Sequence, residues 1–261
     1  MEFKKTLLAV WAILFLFFLP SFAFSQSIGQ STNTDTIRVL FIGNSYTYVG
    51  NMPQIVSLLA ENENIVLHTK KSVAGGAYLK DHWEGNKGLK TKDLITQNHF
   101  DFVVLQDQSQ SAIEIPDTTL KYVKLFCDLI RRSKAEPLLY ETWARERIPQ
   151  QQETIRAIYL TGAKENQARL VPVGDAWELA RRLRPTIPLF GPDGSHPANL
   201  GVYLTSCIFY STLTGKTSEK LVNDIYTTDK DGEMLYLLWV NEEDATFLQK
   251  IVAEILAKSS E

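Results

Sequence analysis

The sequence predicts an α/β protein, a three-layer sandwich with a central parallel five-stranded sheet flanked by helices. Three observations predict it. The apolar run 37–42 ends at Gly43 and is followed by a helical pattern over 52–63, which reads as a buried strand feeding a helix. The same unit then recurs along the chain, and strand–helix alternation of this kind implies a parallel sheet covered on both faces. Finally, no stretch between these units has the composition of an interdomain linker, so one domain holds them all.

The elements follow in order. After the strand at 37–42 and the helix at 52–63, the apolar residues of 65–73 give a second strand and the spacing of 88–97 a helix. A short apolar strand at 102–105 leads to a helix at 118–133, whose Leu125-Phe126-Cys127 lies within an apolar helical stripe and which closes on Arg131-Arg132. A strand at 137–142, a helix at 150–165 and a strand at 170–173 complete the sheet. A helical segment at 176–182 ends on Arg181-Arg182; a loop bearing Pro and Gly runs over 185–197 and a helix over 199–214. The following residues show no regular pattern until 242–258, which has an amphipathic helical period.

Composition narrows the function classes. Hydrophobic residues make up 44% of the 261 and charged residues 22%, the balance of an ordinary globular domain. The net charge is −3 with no basic cluster, which argues against nucleic acid as a partner. His68, His82, His99 and His196 are scattered without ligand-like spacing, so no metal and no cofactor is expected. Asp229-Lys230-Asp231-Gly232-Glu233 lacks the full spacing of a calcium loop. Cys127 and Cys207 each sit in an apolar helical pattern, the usual setting of a buried free thiol.

Residues 1–25 begin with Lys4 and Lys5, continue through an apolar run and end on Ala23-Phe24-Ser25, the pattern of a secretory signal peptide cut near Ser25/Gln26. The expected protein is therefore secreted or periplasmic, with 26–261 as its single domain and no stable membrane insertion after cleavage. Loss of Lys4, Lys5 and Glu2 leaves it one unit more negative.

In open parallel sheets, ligands bind beyond the carboxyl ends of the strands. Three polar clusters fall at strand ends or in the late loop: Gly43-Asn44-Ser45, Gln106-Asp107-Gln108 and Asp193-Gly194-Ser195-His196. Ser45 follows a strand at a glycine, near a helix start whose free N–H groups stabilise an anion; the same position also suits a helix-capping serine. Asp193 stands three residues before His196 between Pro192 and Pro197. It can fold back to accept the imidazole Nδ1–H and leave the other nitrogen as a base for a serine hydroxyl. Thr47 occupies the second glycine position of a Gly-x-Ser-x-Gly turn, which excludes the α/β-hydrolase nucleophile elbow.

Taken together, Gly43-Asn44-Ser45-Tyr46-Thr47 and Asp193-Gly194-Ser195-His196, with Pro197 and Gly201 after it, resemble the first and last blocks of the GDSL or SGNH hydrolase family. Asn44 stands where the family's Gly-Asp-Ser form has aspartate. The resemblance spans nearly the whole chain after the leader and implies a flavodoxin-like fold and a Ser45–His196–Asp193 triad. It implies an oxyanion hole made by the Ser45 N–H, by a glycine of Val73-Ala74-Gly75-Gly76, with Gly76 preferred to Gly75, and by a side-chain amide. Gln108 is the first choice for that amide and Gln106 the second; the family uses asparagine there. Asn44, Gln106 and Trp143 are the expected substrate contacts, although Trp143 at a strand end also suits core packing. The implied activity is hydrolysis of short acyl esters, acetyl esters of carbohydrates first, with a small-molecule or glycan ester as partner. A catalytically silent glycan-binding protein of the same fold and an acyltransferase are the rival readings.

Overall fold

The computed structural model describes residues 36–258. The leader expected at 1–25, with its cut near Ser25/Gln26, lies outside them. Five strands, β1 (Ile37–Gly43), β2 (Leu67–Val73), β3 (Phe102–Leu105), β4 (Glu136–Glu141) and β5 (Arg169–Pro172), form one sheet in the order β2-β1-β3-β4-β5. Every neighbouring pair is parallel. Because side chains alternate along a strand, Val39 and Phe41 enter one core layer while Leu40 and Ile42 enter the other. All four are fully buried, which is why β1 carries no polar alternation after Arg38.

Among the described residues ten α-helices accompany the strands: α1 (Ser45–Tyr48), α2 (Met52–Asn62), α3 (Leu79–Glu84), α4 (Thr91–Gln97), α5 (Ser111–Glu114), α6 (Pro116–Arg132), α7 (Gln152–Glu165), α8 (Val173–Leu183), α9 (Asn199–Thr214) and α10 (Glu242–Lys258). The Val39/Phe41 layer is filled by α2, α8, α9 and α10, and the Leu40/Ile42 layer by α3, α4, α6 and α7. Cys207 lies in the first layer and Cys127 in the second; both are free, and burial pushes each thiol up to about 12.

The chain runs from β1 outward to β2, then returns past β1 to β3. The connections leave β1 in opposite directions, so the carboxyl ends of β2, β1 and β3 border a crevice. The register places Gly43 opposite Val73 and Ile42 opposite Leu105, so the segments leaving these three strands start side by side.

Residues 215–241, expected to lack regular structure, contain an antiparallel hairpin of β6 (Asp224–Thr228) and β7 (Met234–Trp239). Its register slips between Ile225 and Tyr226, so Leu237 is an extra residue in β7. This bulge brings Tyr236 and Trp239 to one outer face with Tyr226, while Ile225 and Leu238 are buried. A period-two pattern interrupted in this way, with apolar residues on both faces, carries no clean strand signature.

Candidate active site

The Ser45 turn is built at the end of β1. Asn44 caps α1 with its side-chain oxygen accepting the Tyr46 N–H, and Ser45 is the first helical residue. Its N–H is one of the donors that no helical carbonyl can accept. The Asn44 N–H and the Thr47 hydroxyl both donate to Gln106 Oε1 at 2.9 Å, and Asn44 Nδ2 donates to the Ala77 carbonyl at 3.0 Å. Gly43 is required by this closeness: a Cβ there would lie 2.3 Å from Gln106 Oε1 and 2.5 Å from Thr47 Oγ1.

A buried histidine fixes the same turn from behind. His82 Nε2 donates to the Gly43 carbonyl at 3.0 Å, and Nδ1 accepts from Thr91 Oγ1 at 2.8 Å. Since a carbonyl only accepts, the ring proton sits on Nε2. Burial holds His82 down at about 4, against which the Gly43 bond is the smaller effect, so the ring is neutral at ordinary pH. Nothing in the scattered histidines marked this one, because α3 itself was not expected.

The Asp193–His196 loop is closed by short-range bonds. Asp193 Oδ1 accepts the N–H groups of Ser195 and His196, both at 3.0 Å, and Oδ2 accepts from His196 Nδ1 at 2.5 Å. The Gly191 N–H bonds the His196 carbonyl at 2.8 Å, and Phe190 bridges to Pro197. His196 Nε2 then stands 2.8 Å from Ser45 Oγ, across 151 residues of sequence. The hydrogen bond from His196 holds the Asp193 carboxyl down at about 2, so it is ionised at ordinary pH.

An aromatic column ties the loop to the turn. Tyr46 stacks on Trp143 with centroids 4.5 Å apart, and Trp143 stacks on Trp177 at 3.9 Å. Trp143 Nε1 donates to the Ser195 carbonyl at 2.9 Å, and the Tyr46 hydroxyl bonds Ser195 Oγ at 2.7 Å.

The expected oxyanion donors are placed unevenly. Ala74-Gly75-Gly76-Ala77 forms a turn closed by the Ala77 N–H on the Ala74 carbonyl at 3.1 Å, with Gly76 exposed at φ +59° in the left-handed region. The Ala74 N–H also reaches the Gly43 carbonyl, which sets this turn beside Ser45. Gln108 Oε1 accepts the Gln110 N–H at 2.6 Å, which leaves its Nε2 as the free donating end. Gln106 cannot serve: it is fully buried, its Oε1 accepts twice, and its Nε2 is turned back onto the Asp107 carbonyl.

Three expected substrate contacts are therefore corrected. Asn44, Gln106 and Trp143 are 2%, 0% and 1% exposed. They shape the turn and hold the loop from inside the protein rather than facing the crevice. Asp107, between the two glutamines, is also internal and accepts from the Leu79 and Gln108 N–H groups and the Thr119 hydroxyl. Burial raises its carboxyl while these bonds oppose the rise.

No protein-family model matches this sequence, and no curated protein matches it. Solved structures do. A candidate SGNH hydrolase from Slackia heliotrinireducens aligns with a TM-score of 0.59 at 23% identity, over 68% of this chain and 99% of its own. A DUF4886 family protein from Bacteroides uniformis aligns with a TM-score of 0.70 at 18% identity, over 87% and 97%. An acetyl xylan esterase aligns with a TM-score of 0.56 at 16% identity, over 68% and 100%. At these identities the likeness shows the fold, and the fold is that of the SGNH hydrolases.

Proposed function

We propose that this protein is a serine esterase of the SGNH type that removes short acyl groups, acetyl first, from the hydroxyls of a carbohydrate or another small alcohol. The observation that carries this reading is the unbroken hydrogen-bonded chain from Ser45 Oγ through His196 to Asp193. A hydroxyl beside an imidazole, itself oriented by a carboxylate on its far nitrogen, is an activated nucleophile. The acetyl xylan esterase among the structural neighbours supports the acetyl preference.

In the proposed reaction Ser45 Oγ attacks the ester carbonyl as His196 Nε2 takes its proton. The tetrahedral oxyanion is met by the Ser45 and Gly76 N–H groups and by Gln108 Nε2, each donor lowering the barrier by about 3 kcal/mol when aligned. His196 passes its proton to the departing alcohol oxygen and leaves an acyl-Ser45. It then takes a proton from water; the resulting hydroxide attacks the acyl carbon, the acid departs and the proton returns to Ser45 Oγ. The leader pattern at 1–25 supports action outside the cytoplasm, to be checked by sequencing the mature N-terminus.

Ser45 is tested directly. Wild-type protein is expected to release nitrophenol from p-nitrophenyl acetate and to be labelled on Ser45 by a fluorophosphonate, and Ser45→Ala to do neither while melting at the same temperature. Equal hydrolysis by wild type and Ser45→Ala, or no labelling of a folded wild type, rejects the esterase and favours a silent binder of the same fold. Product analysis with a sugar acceptor separates hydrolysis from acyl transfer.

A further inference from the structure

Arg145 follows β4 at the crevice end of the sheet, and its guanidinium has no charged partner. Among the described residues Arg156 pairs with Asp175 and Glu178, Arg169 with Glu136, and Arg184 with Glu243 and Asp244; the remaining arginines make no ion pair, and Arg145 differs from them in holding a buried guanidinium nitrogen without an acceptor. Arg145 has none within ion-pair distance. Its guanidinium donates a long hydrogen bond of 3.5 Å to Ser109 Oγ and lies against the Tyr46 hydroxyl, and its buried Nε meets no acceptor. The adjacent carboxylate of Glu146 turns away against Gly194. A partly buried cation without a counter-charge is costly to keep, and its cost is offset when an anion arrives.

The position of this charge is set by its neighbours. Ser109 follows Gln108, the amide proposed as an oxyanion donor, and the Tyr46 hydroxyl lies against both Ser109 and Arg145 while bonding Ser195 beside His196. On the other flank, Lys87 Nζ donates to the Gly75 carbonyl at 3.2 Å. The strand order puts the β2 exit, held by Lys87, and the β4 exit, bearing Arg145, on either side of the Ser45 turn. A protein of net negative charge thus sets two cations on strand exits flanking the Ser45 turn.

We infer that Arg145 binds a carboxylate carried by the alcohol part of the substrate, so that the preferred substrate is an acyl ester on a uronic-acid sugar. This inference rests on the esterase reading and specifies its substrate class. A guanidinium–carboxylate contact is short, directional and partly shielded from water, and so distinguishes an acid from its neutral amide.

The test uses two probes that differ only in charge: methyl 4-O-acetyl-glucuronoside and the corresponding glucuronamide, with acetate release measured. Wild type is expected to favour the acid by about tenfold or more in kcat/KM, the scale of one charge-assisted hydrogen bond. Arg145→Gln is expected to bring that ratio near one, and Arg145→Lys to retain part of it. A wild-type ratio near one, or an Arg145→Gln protein that keeps the ratio or slows both probes equally, overturns the inference while acetate release leaves the esterase standing. If wild type releases acetate from neither probe and Ser45 resists labelling, the esterase reading fails by itself. Calorimetry with the unacetylated glucuronoside and glucuronamide then decides Arg145: acid-selective binding lost in Arg145→Gln upholds its role, and equal binding of the two probes overturns it.

Discussion

Asp193 uses its two oxygens for two tasks. Oδ1 folds the loop by accepting the Ser195 and His196 N–H groups, and Oδ2 orients the imidazole. Asparagine separates the tasks. Its carbonyl can keep the backbone bonds, but its NH2 then faces His196 Nδ1 and forces that nitrogen to accept. The ring proton moves to Nε2, where it opposes the removal of the Ser45 proton. Asp193→Asn is expected to lose about 10⁴-fold in kcat, with the melting temperature nearly unchanged, in steady-state assays alongside thermal unfolding. A loss confined to KM would mean that the carboxylate serves substrate binding instead. The two motifs that meet here were legible in the sequence because each is compact: a nucleophile beside a strand-ending glycine, and an acid three residues before a base. Depth was not legible. Asn44, Gln106 and Trp143 are polar or amphipathic residues at strand ends, where residues facing a ligand and residues bracing a turn have the same composition. Only the observed bonds to Ala77, Asp107 and Ser195 tell them apart.

At the scale of elements, the five strands and the longer helices were readable because strands buried on both faces are apolar runs and the helices between them keep their period. Three kinds of element escaped. α1 and α5 have four residues each, too few to show a period. The six-residue α3 begins where Asp107 accepts the Leu79 N–H and the Asp81 carboxylate accepts the Tyr78 N–H, so distant and local side chains define its start together. The β6–β7 hairpin is masked by its bulge. The same close packing makes the β1–α1 junction intolerant. Gly43→Ala places a methyl group against Gln106 and Thr47, whose shared bond fixes the turn, and either the bond or the turn must give way. We expect a stability loss of about 1–3 kcal/mol in urea unfolding, from overpacking of a closed site. A larger proportional fall in Ser45 labelling is expected with it. Normal labelling in a destabilised protein would show that the junction supports the fold but does not position the nucleophile.

Across the whole molecule, two buried groups, one on α3 and one at the end of β4, oppose each other in their response to pH. His82 has its ring held near 4 in the fold against an ordinary 6.5, so the unfolded chain binds the additional proton as pH falls below 6.5. Its contribution is complete above 6.5 and is lost toward 4, with a slope of up to about 1.4 kcal/mol per pH unit. Glu141, at the end of β4, has the reverse sign. Burial first, and the nearby Asp175 charge second, raise its carboxyl well above the ordinary 4.5; Oε1 accepts from Gln152 while Oε2 has no partner. The folded protein keeps this proton after the unfolded chain has released it, so stability falls as pH rises above about 4.5 toward the folded value. As pH rises above about 4.5 the two slopes oppose each other. Glu141→Gln removes the carboxyl and keeps an oxygen to accept from Gln152. Its melting temperature should match that of wild type near pH 4.5 and exceed it as pH rises above that, a divergence read from thermal unfolding at stepped pH. Parallel curves for the two proteins would mean that Glu141 titrates alike in the folded and unfolded chain, and that its burial has no consequence for stability.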